Sequence, residues 1–240
     1  ITALFVWQYL LQKQTLDDMN IGYFDNWASV FGVITQSIEV KPSGDGFRPR
    51  TRFSNFVNLN ELCNLFGEVF DIAKTADMNL KLPAIQNGKP EMIICEKSPE
   101  QELQTDAGIE RARKIEAKMV QPDEDNMLAV CTYMTKVALD ARIIDPEAEE
   151  YDGGKVALCA EKIIEINKAN PGTAQAVFCD TNTPKKDAFS VYQALRDRLV
   201  RSGEFTENEI AFVHDAANDK QRLAMFEKVN NAEIKIIIGS

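Results

Sequence analysis

Apolar positions early in the chain recur every three to four residues. Late in the chain they gather into short runs separated by amphipathic stretches. The first pattern is that of helices packed on one face, the second that of buried strands alternating with helices. Residues 2–13 carry apolar side chains at helical spacing, and residues 22–33 place Phe24, Trp27 and Phe31 on one helical face with Asp25 as N-cap. Pro42, Gly44 and Gly46 predict a loop over 41–52. A helix is expected over 58–73, with Asn58 or Asn60 near its cap, and an extended stretch over 79–91.

Residues 92–96 (MIICE) read as a short strand, and Ser98-Pro99 as an N-cap followed by proline in the first helical position. The helix it opens runs to about 119. Another is predicted over 126–140, then an exposed acidic loop over 144–154. From 155 the order becomes regular: helix 155–169, strand 174–179, helix 188–202 stopped by Gly203, strand 210–214, helix 218–230 and strand 234–238. Such alternation predicts a parallel sheet covered on both faces. Ligands of such sheets sit at the strands' carboxyl ends, here 180–186, 214–218 and 239–240. Phe226 is expected in the core, and Trp7, Trp27 and Phe31 in the core or at an interface between lobes.

Composition narrows the class. Hydrophobic residues at 45% and charged residues at 27% are those of a globular domain. No apolar run approaches the ~20 residues of a membrane span, and the first residues lack the charged region and cleavage site of a secretory leader. The five cysteines form no Cys-x-x-Cys pair, so neither a zinc site nor a disulfide framework is expected, and a reducing cytoplasm is. The start at Ile1 and the stop just after the run 234–238 lead us to expect a piece of a longer protein.

A formal net charge of −10 argues against general nucleic-acid binding, yet local contacts depend on where the cations sit. Lys41, Arg48, Arg50 and Arg52 form the densest basic cluster, flanked by Phe47 and Phe53. It reads either as a phosphate-binding patch with aromatics for base stacking or as a flexible hairpin anchored by those aromatics. Asp180, Thr181, Asn182, Thr183, Lys185 and Lys186 are phosphate partners or a merely solvated loop. Cys179 and His214 end two successive predicted strands, which leaves a Cys/His nucleophile pair to consider if those strands are neighbours. Arg222 has an ion-pair partner in Asp219. No G-x-x-x-x-G-K-[ST] or G-x-G-x-x-G occurs, and residues 123–126 (DEDN) read as a helix cap rather than a metal box.

Taken in order, these segments resemble those of a known family. ITALFVWQYL is similar to the helix after the third motif of superfamily 2 helicases of the Swi/Snf-like branch. YFDNWASVFG resembles an aromatic segment of the large helicase-like proteins of bacterial mobile elements and phages. LNELCNLFGEVFDIAKTADMNLKLP with KPEMIICEKSPEQ resembles the crossing between the two motor lobes. DNMLAVCTYMTKVALDARIIDP and GGKVALCAEKIIEI resemble the helical entry to the second lobe. AQAVFCDTNTPK resembles the fourth motif, IAFVHDAANDKQRLAMFEKV the strand and helix after it, and IKIIIGS the start of the fifth.

The resemblance covers nearly the whole chain. It implies an α/β fold: a RecA-like parallel sheet, the C-terminal helicase lobe, over 91–240 and truncated at its fifth motif, preceded over 1–90 by a mostly helical tail of the first lobe and the lobe-crossing segment. It further implies a fragment of an ATP-dependent DNA helicase or translocase, a hydrolase whose ATP and Mg sites lie outside this chain, so that the fragment alone binds neither tightly and is inactive. The implied partners are DNA and the missing first RecA-like lobe, with no membrane. The residues implied to face nucleic acid are Thr181, Asn182, Thr183, Lys185, Lys186, His214, Arg222 and Ser240. The alternative is a catalytically silent RecA-like protein-interaction module.

Overall fold

A computed structural model describes residues 2–71, 78, 85, 88–184 and 188–240. The chain divides into two compact units, Ile1–Pro90 and Glu91–Ser240. The stretch predicted over 79–91 falls largely outside the described residues, as do Lys185 and Lys186.

Among its described residues the first unit holds three helices, α1 (Thr2–Asp18), α2 (Phe24–Phe31) and α3 (Leu59–Gly67), and two strands, β1 (Gly32–Val40) and β2 (Phe47–Phe56). Its core gathers Leu16, Ile21, Trp27, Phe31, Leu62 and Phe66. Trp27 and Phe31 are buried as predicted, whereas Trp7 is 57% exposed. Tyr23, not Asp25, holds the N-cap position of α2, with no capping hydrogen bond from its side chain; Asp25 lies in the first turn, where its charge still favours the helix amino end. The helix predicted over 58–73 stops at Gly67.

The largest departure is at 41–52, where the sequence predicts a loop. Residues 32–56 instead form an antiparallel hairpin, with Val40 opposite Phe47 and Gly32 opposite Phe56. The breakers Pro42, Gly44 and Gly46 occupy only the turn. Gly44 and Gly46 have φ of +75° and +85°, and Lys41 N–H donates to the Gly46 carbonyl at 3.0 Å. The flanking residues alternate with the period of two that a strand requires.

The second unit is mixed α/β. It comprises α4 (Pro99–Glu116), α5 (Met127–Leu139), α6 (Lys155–Ala169), β3 (Gln175–Phe178), α7 (Val191–Arg201), β4 (Ile210–Phe212), α8 (Asp219–Asn230) and β5 (Ile236–Gly239). The three strands are parallel in the order β3-β5-β4, so the last strand in sequence is the central one. Val156, Ala160 and Ile163 of α6 and Tyr192, Leu195 and Leu199 of α7 pack on Ile210, Phe212, Ile236 and Ile238.

The sequence predicts helical cover on both faces; the helical members of the buried core come from α6 and α7. On the other face of β3, Phe178 is 82% exposed. Helix α8 buries no residue, and Phe226, predicted as core, is 39% exposed. Residues 92–96 form no strand, and Met92 and Ile94 are more than four-fifths exposed. Alternating apolar runs report a sheet and its period; they do not report how much cover each face receives. Among the described residues no helix is long and apolar enough to cross a membrane.

The Ser-Pro-x-Gln run acts here as a structural joint. Ser98 Oγ accepts from Gln101 N–H at 3.1 Å while Gln101 Oε1 accepts from Ser98 N–H at 3.0 Å, a reciprocal capping box. Gln101 Nε2 then donates to the Val137 carbonyl at 2.6 Å, tying α4 to α5. Ser98→Ala is expected to cost about 1 kcal/mol. An unchanged urea midpoint in that variant would show that the cap contributes nothing.

Asn126 caps α5 by accepting from Ala129 N–H at 3.0 Å. Asp125 takes two hydrogen bonds from Arg111, both 2.8 Å. Within the DEDN run these two side chains therefore serve as a helix cap and an ion pair.

Candidate site at the strand ends

The carboxyl ends of β3, β5 and β4 lie side by side because the strands are parallel and in register, with Phe178 opposite Gly239 and Phe212 opposite Ile238. Cys179, just past β3, donates its N–H to the Gly239 carbonyl at 2.8 Å. The loop then turns at Asn182, whose φ is +59°, a left-handed conformation that asparagine tolerates better than most residues. The Asn182 amide bridges the loop's two ends, donating to the Phe189 carbonyl at 3.2 Å and accepting from Val191 N–H at 2.7 Å. Asn182 is therefore occupied in shaping the loop. Thr181 and Thr183 beside it are half-buried.

Tyr192 organises the centre. It is 1% exposed, and its hydroxyl donates to the Cys179 carbonyl at 2.6 Å. Its ring meets those of Phe212 and His214 edge-on, with centroids 5.5 and 5.4 Å apart. Burial pushes the Tyr192 hydroxyl pKa up, and Cys179 adds to that, while a hydrogen bond with Ser240 opposes it. The hydroxyl therefore stays protonated and remains a donor. On the outer side, His214 Nε2 and Ser240 Oγ are 3.4 Å apart, and both residues are exposed. The strand ends thus present an imidazole, the three hydroxyls of Thr181, Thr183 and Ser240, and a turn of polar backbone at one rim. These are groups that bind anionic oxygens without needing net positive charge.

Of the residues predicted to face nucleic acid, Thr181, Asn182, Thr183, His214 and Ser240 fall on this rim. Arg222 sits on exposed α8 in a 3.1 Å pair with Asp219, the arrangement its i, i+3 spacing allows. Lys41, Arg48, Arg50 and Arg52 belong to the hairpin of the first unit. The Cys179–His214 nucleophile pair does not form: the Cys179 thiol donates to the Thr181 carbonyl at 3.1 Å, while His214 faces Tyr192 and Ser240.

Sequence reasoning passes over Tyr192, because Val191, Tyr192, Leu195 and Leu199 have the spacing of a core stripe. Its polar tip gains meaning only when β3 ends beneath it. A tyrosine within an otherwise aliphatic stripe is the signal that was there to find, since buried tyrosines need a hydrogen-bond partner.

Among the described residues no group of three or more His, Cys, Asp or Glu side chains is placed to hold a metal ion. The sequence holds no glycine-rich phosphate loop. No protein-family model, no curated protein and no solved structure matches the chain.

Proposed function

We propose that the chain is the second-lobe portion of an ATP-driven DNA translocase, contributing a wall of polar strand ends rather than the nucleotide-binding loop. The observation that carries this reading is the parallel order β3-β5-β4. It sets the segments resembling the fourth and fifth motifs on adjacent strands, with Ser240 beside His214 at one rim. Open α/β sheets bind at such rims. Phosphoryl transfer between two lobes would need the P-loop and Mg ligand from the other lobe, so no hydrolytic step is assigned to residues of this chain.

ATP turnover should be measured with and without duplex DNA, for this chain and for the same chain extended in its natural reading frame on both sides. The expected result is DNA-stimulated hydrolysis by the extended protein and none by the chain alone. A folded extended protein that is silent in both conditions would sink the motor reading.

A second reading is favoured by charge. Residues 91–240 hold 28 acidic against 19 basic side chains, while residues 1–90 hold nine against eight. A lobe so acidic, with the bare helix α8, suits a catalytically silent protein-interaction module. That reading predicts that the extended sequence carries no P-loop.

A further inference from the structure

The basic cluster of the first unit changes character once it is folded. As a loop, Arg48, Arg50, Arg52, Phe47 and Phe53 would form one mixed patch able to grip phosphates and stack on bases together. As strand β2, they are sorted by the pleat. Successive side chains of a strand point to opposite faces, so Arg48, Arg50 and Arg52 share one face and Phe47 and Phe53 the other. The cross-strand register extends both faces. Glu39 lies opposite Arg48, Ser37 opposite Arg50 and Thr35 opposite Arg52; Val40 lies opposite Phe47, Ile38 opposite Pro49 and Ile34 opposite Phe53. A polar, arginine-lined face is thus backed by an apolar one, on which Ile34, Ile38, Val40 and Phe47 are all more than three-fifths exposed.

The arginine face is under-neutralised. Glu39 is its one carboxylate, and it pairs with Arg52 at 2.8 Å. No ion pair holds Arg48 or Arg50 among the described residues. Arg48 Nε is buried with no hydrogen-bond partner, although a guanidinium carries five donors to satisfy. Arg50 is exposed and opposite the Ser37 hydroxyl. Along a strand, alternate residues advance ~6.8 Å, twice the ~3.4 Å per phosphate of one duplex strand. A two-stranded ribbon is also narrow enough for the ~12 Å major groove. The charge separation in the chain points the same way, since the acidic excess lies in the second unit and the hairpin carries four cations against Glu39 and Asp45.

We infer that the arginine face of the β1–β2 hairpin binds the phosphate backbone of duplex DNA, without base stacking. Single-strand binding by stacking would need the aromatics on the arginine face, and the pleat puts them on the other. The site names a DNA-contact surface for the motor reading but stands on the hairpin alone. Silent ATP hydrolysis by the extended protein would leave it intact, and failure of the hairpin would leave the motor reading intact.

Fluorescence anisotropy of the full chain with a labelled 20-base-pair DNA duplex, across a salt series, tests it. Arg48→Gln/Arg50→Gln is expected to weaken binding about tenfold and to lower the slope of log K against log salt by about 2, one per lost phosphate contact. Arg48→Lys/Arg50→Lys should restore the slope. Arg50→Gln alone, at an exposed position, should lower it by about 1 without changing the melting temperature, which keeps the test valid if the double variant misfolds. The inference is overturned by an unchanged affinity and slope, or by no duplex binding by the wild-type chain at low salt. It is equally overturned by tighter binding to single strands that Phe47→Ala abolishes, or by preference for phosphatidylserine-containing vesicles over duplex.

Discussion

Trp27→Ala is expected to destabilise the first unit by about 3–5 kcal/mol, the range for truncating a large buried aromatic. Trp27 is fully buried, and its ring lies 5.5 to 6.4 Å from those of Phe5, Phe24, Phe31 and Phe56. Packing is only part of the effect. Trp27 Nε1 donates to Gln8 Oε1 at 2.8 Å, Gln8 Nε2 to Gln12 Oε1 at 3.2 Å, and Gln12 Nε2 to the Leu65 carbonyl at 2.7 Å. This buried polar chain runs from α2 through α1 to α3, and α1 departs from helical geometry at Gln12. Removing the indole strands the Gln8 carbonyl oxygen away from water, at a cost of about 1–3 kcal/mol.

Trp27→Phe shifts the balance between the two contributions, because it keeps an aromatic ring in the cluster while losing the donor and the volume of the five-membered ring. Urea unfolding followed by far-ultraviolet circular dichroism, with hydrogen exchange across residues 2–67, reads both variants. A loss below about 1 kcal/mol for Trp27→Ala would mean that the aromatic cluster is not the keystone of this unit.

Glu150→Ala is expected to destabilise the second unit by about 2 kcal/mol, less than the loss of a fully buried charge partner because the site keeps some contact with water. Glu150 lies in the acidic segment 144–154, which the sequence predicts as an exposed loop, yet it sits among three arginines. It accepts from Arg198 at 2.9 Å and from Arg201 at 2.6 Å, and lies 3.9 Å from Arg142. The Arg142 side chain is only 12% exposed and is held mainly by Asp140 at 2.8 Å. Without Glu150, Arg198 and Arg201 on α7 lose their shared partner, and the loop loses its anchor.

The pH dependence follows in sign. Burial acts to raise the Glu150 carboxyl, but hydrogen bonds from Arg201 and Arg198 outweigh it and hold the pKa below the ordinary glutamate value. A depressed carboxylate binds its proton less readily in the folded state than in the unfolded one. Its stabilisation is therefore complete above the ordinary glutamate range and fades as pH falls through the folded value. Melting temperatures of wild type and Glu150→Gln should differ near neutral pH and converge in acid. A gap that stays constant down through the carboxylate range would remove Glu150 from this role.

What the sequence determined by itself was short-range. Ser98 and Pro99 mark the start of α4, helix 155–169 has the boundaries the pattern predicts, and Gly203 closes α7 with φ of +76°. Each signal acts through hydrogen bonds or sterics within about one helical turn, so neighbours in sequence carry it complete. Strand positions from 175 on were legible for a related reason, since compact apolar runs between helices leave little other way to bury them.

Only the tertiary structure decided the strand order β3-β5-β4, the meeting of Ser240 with His214 across 26 residues, and Tyr192 as the hydroxyl beneath the end of β3. It also turned a proline- and glycine-marked stretch into a ribbon, which divided one basic aromatic cluster into an arginine face and an apolar face. These facts depend on pairing between distant segments, and that pairing is set by the fit of whole surfaces. A linear pattern shows which residues want burial or charge, but not which partner each will find.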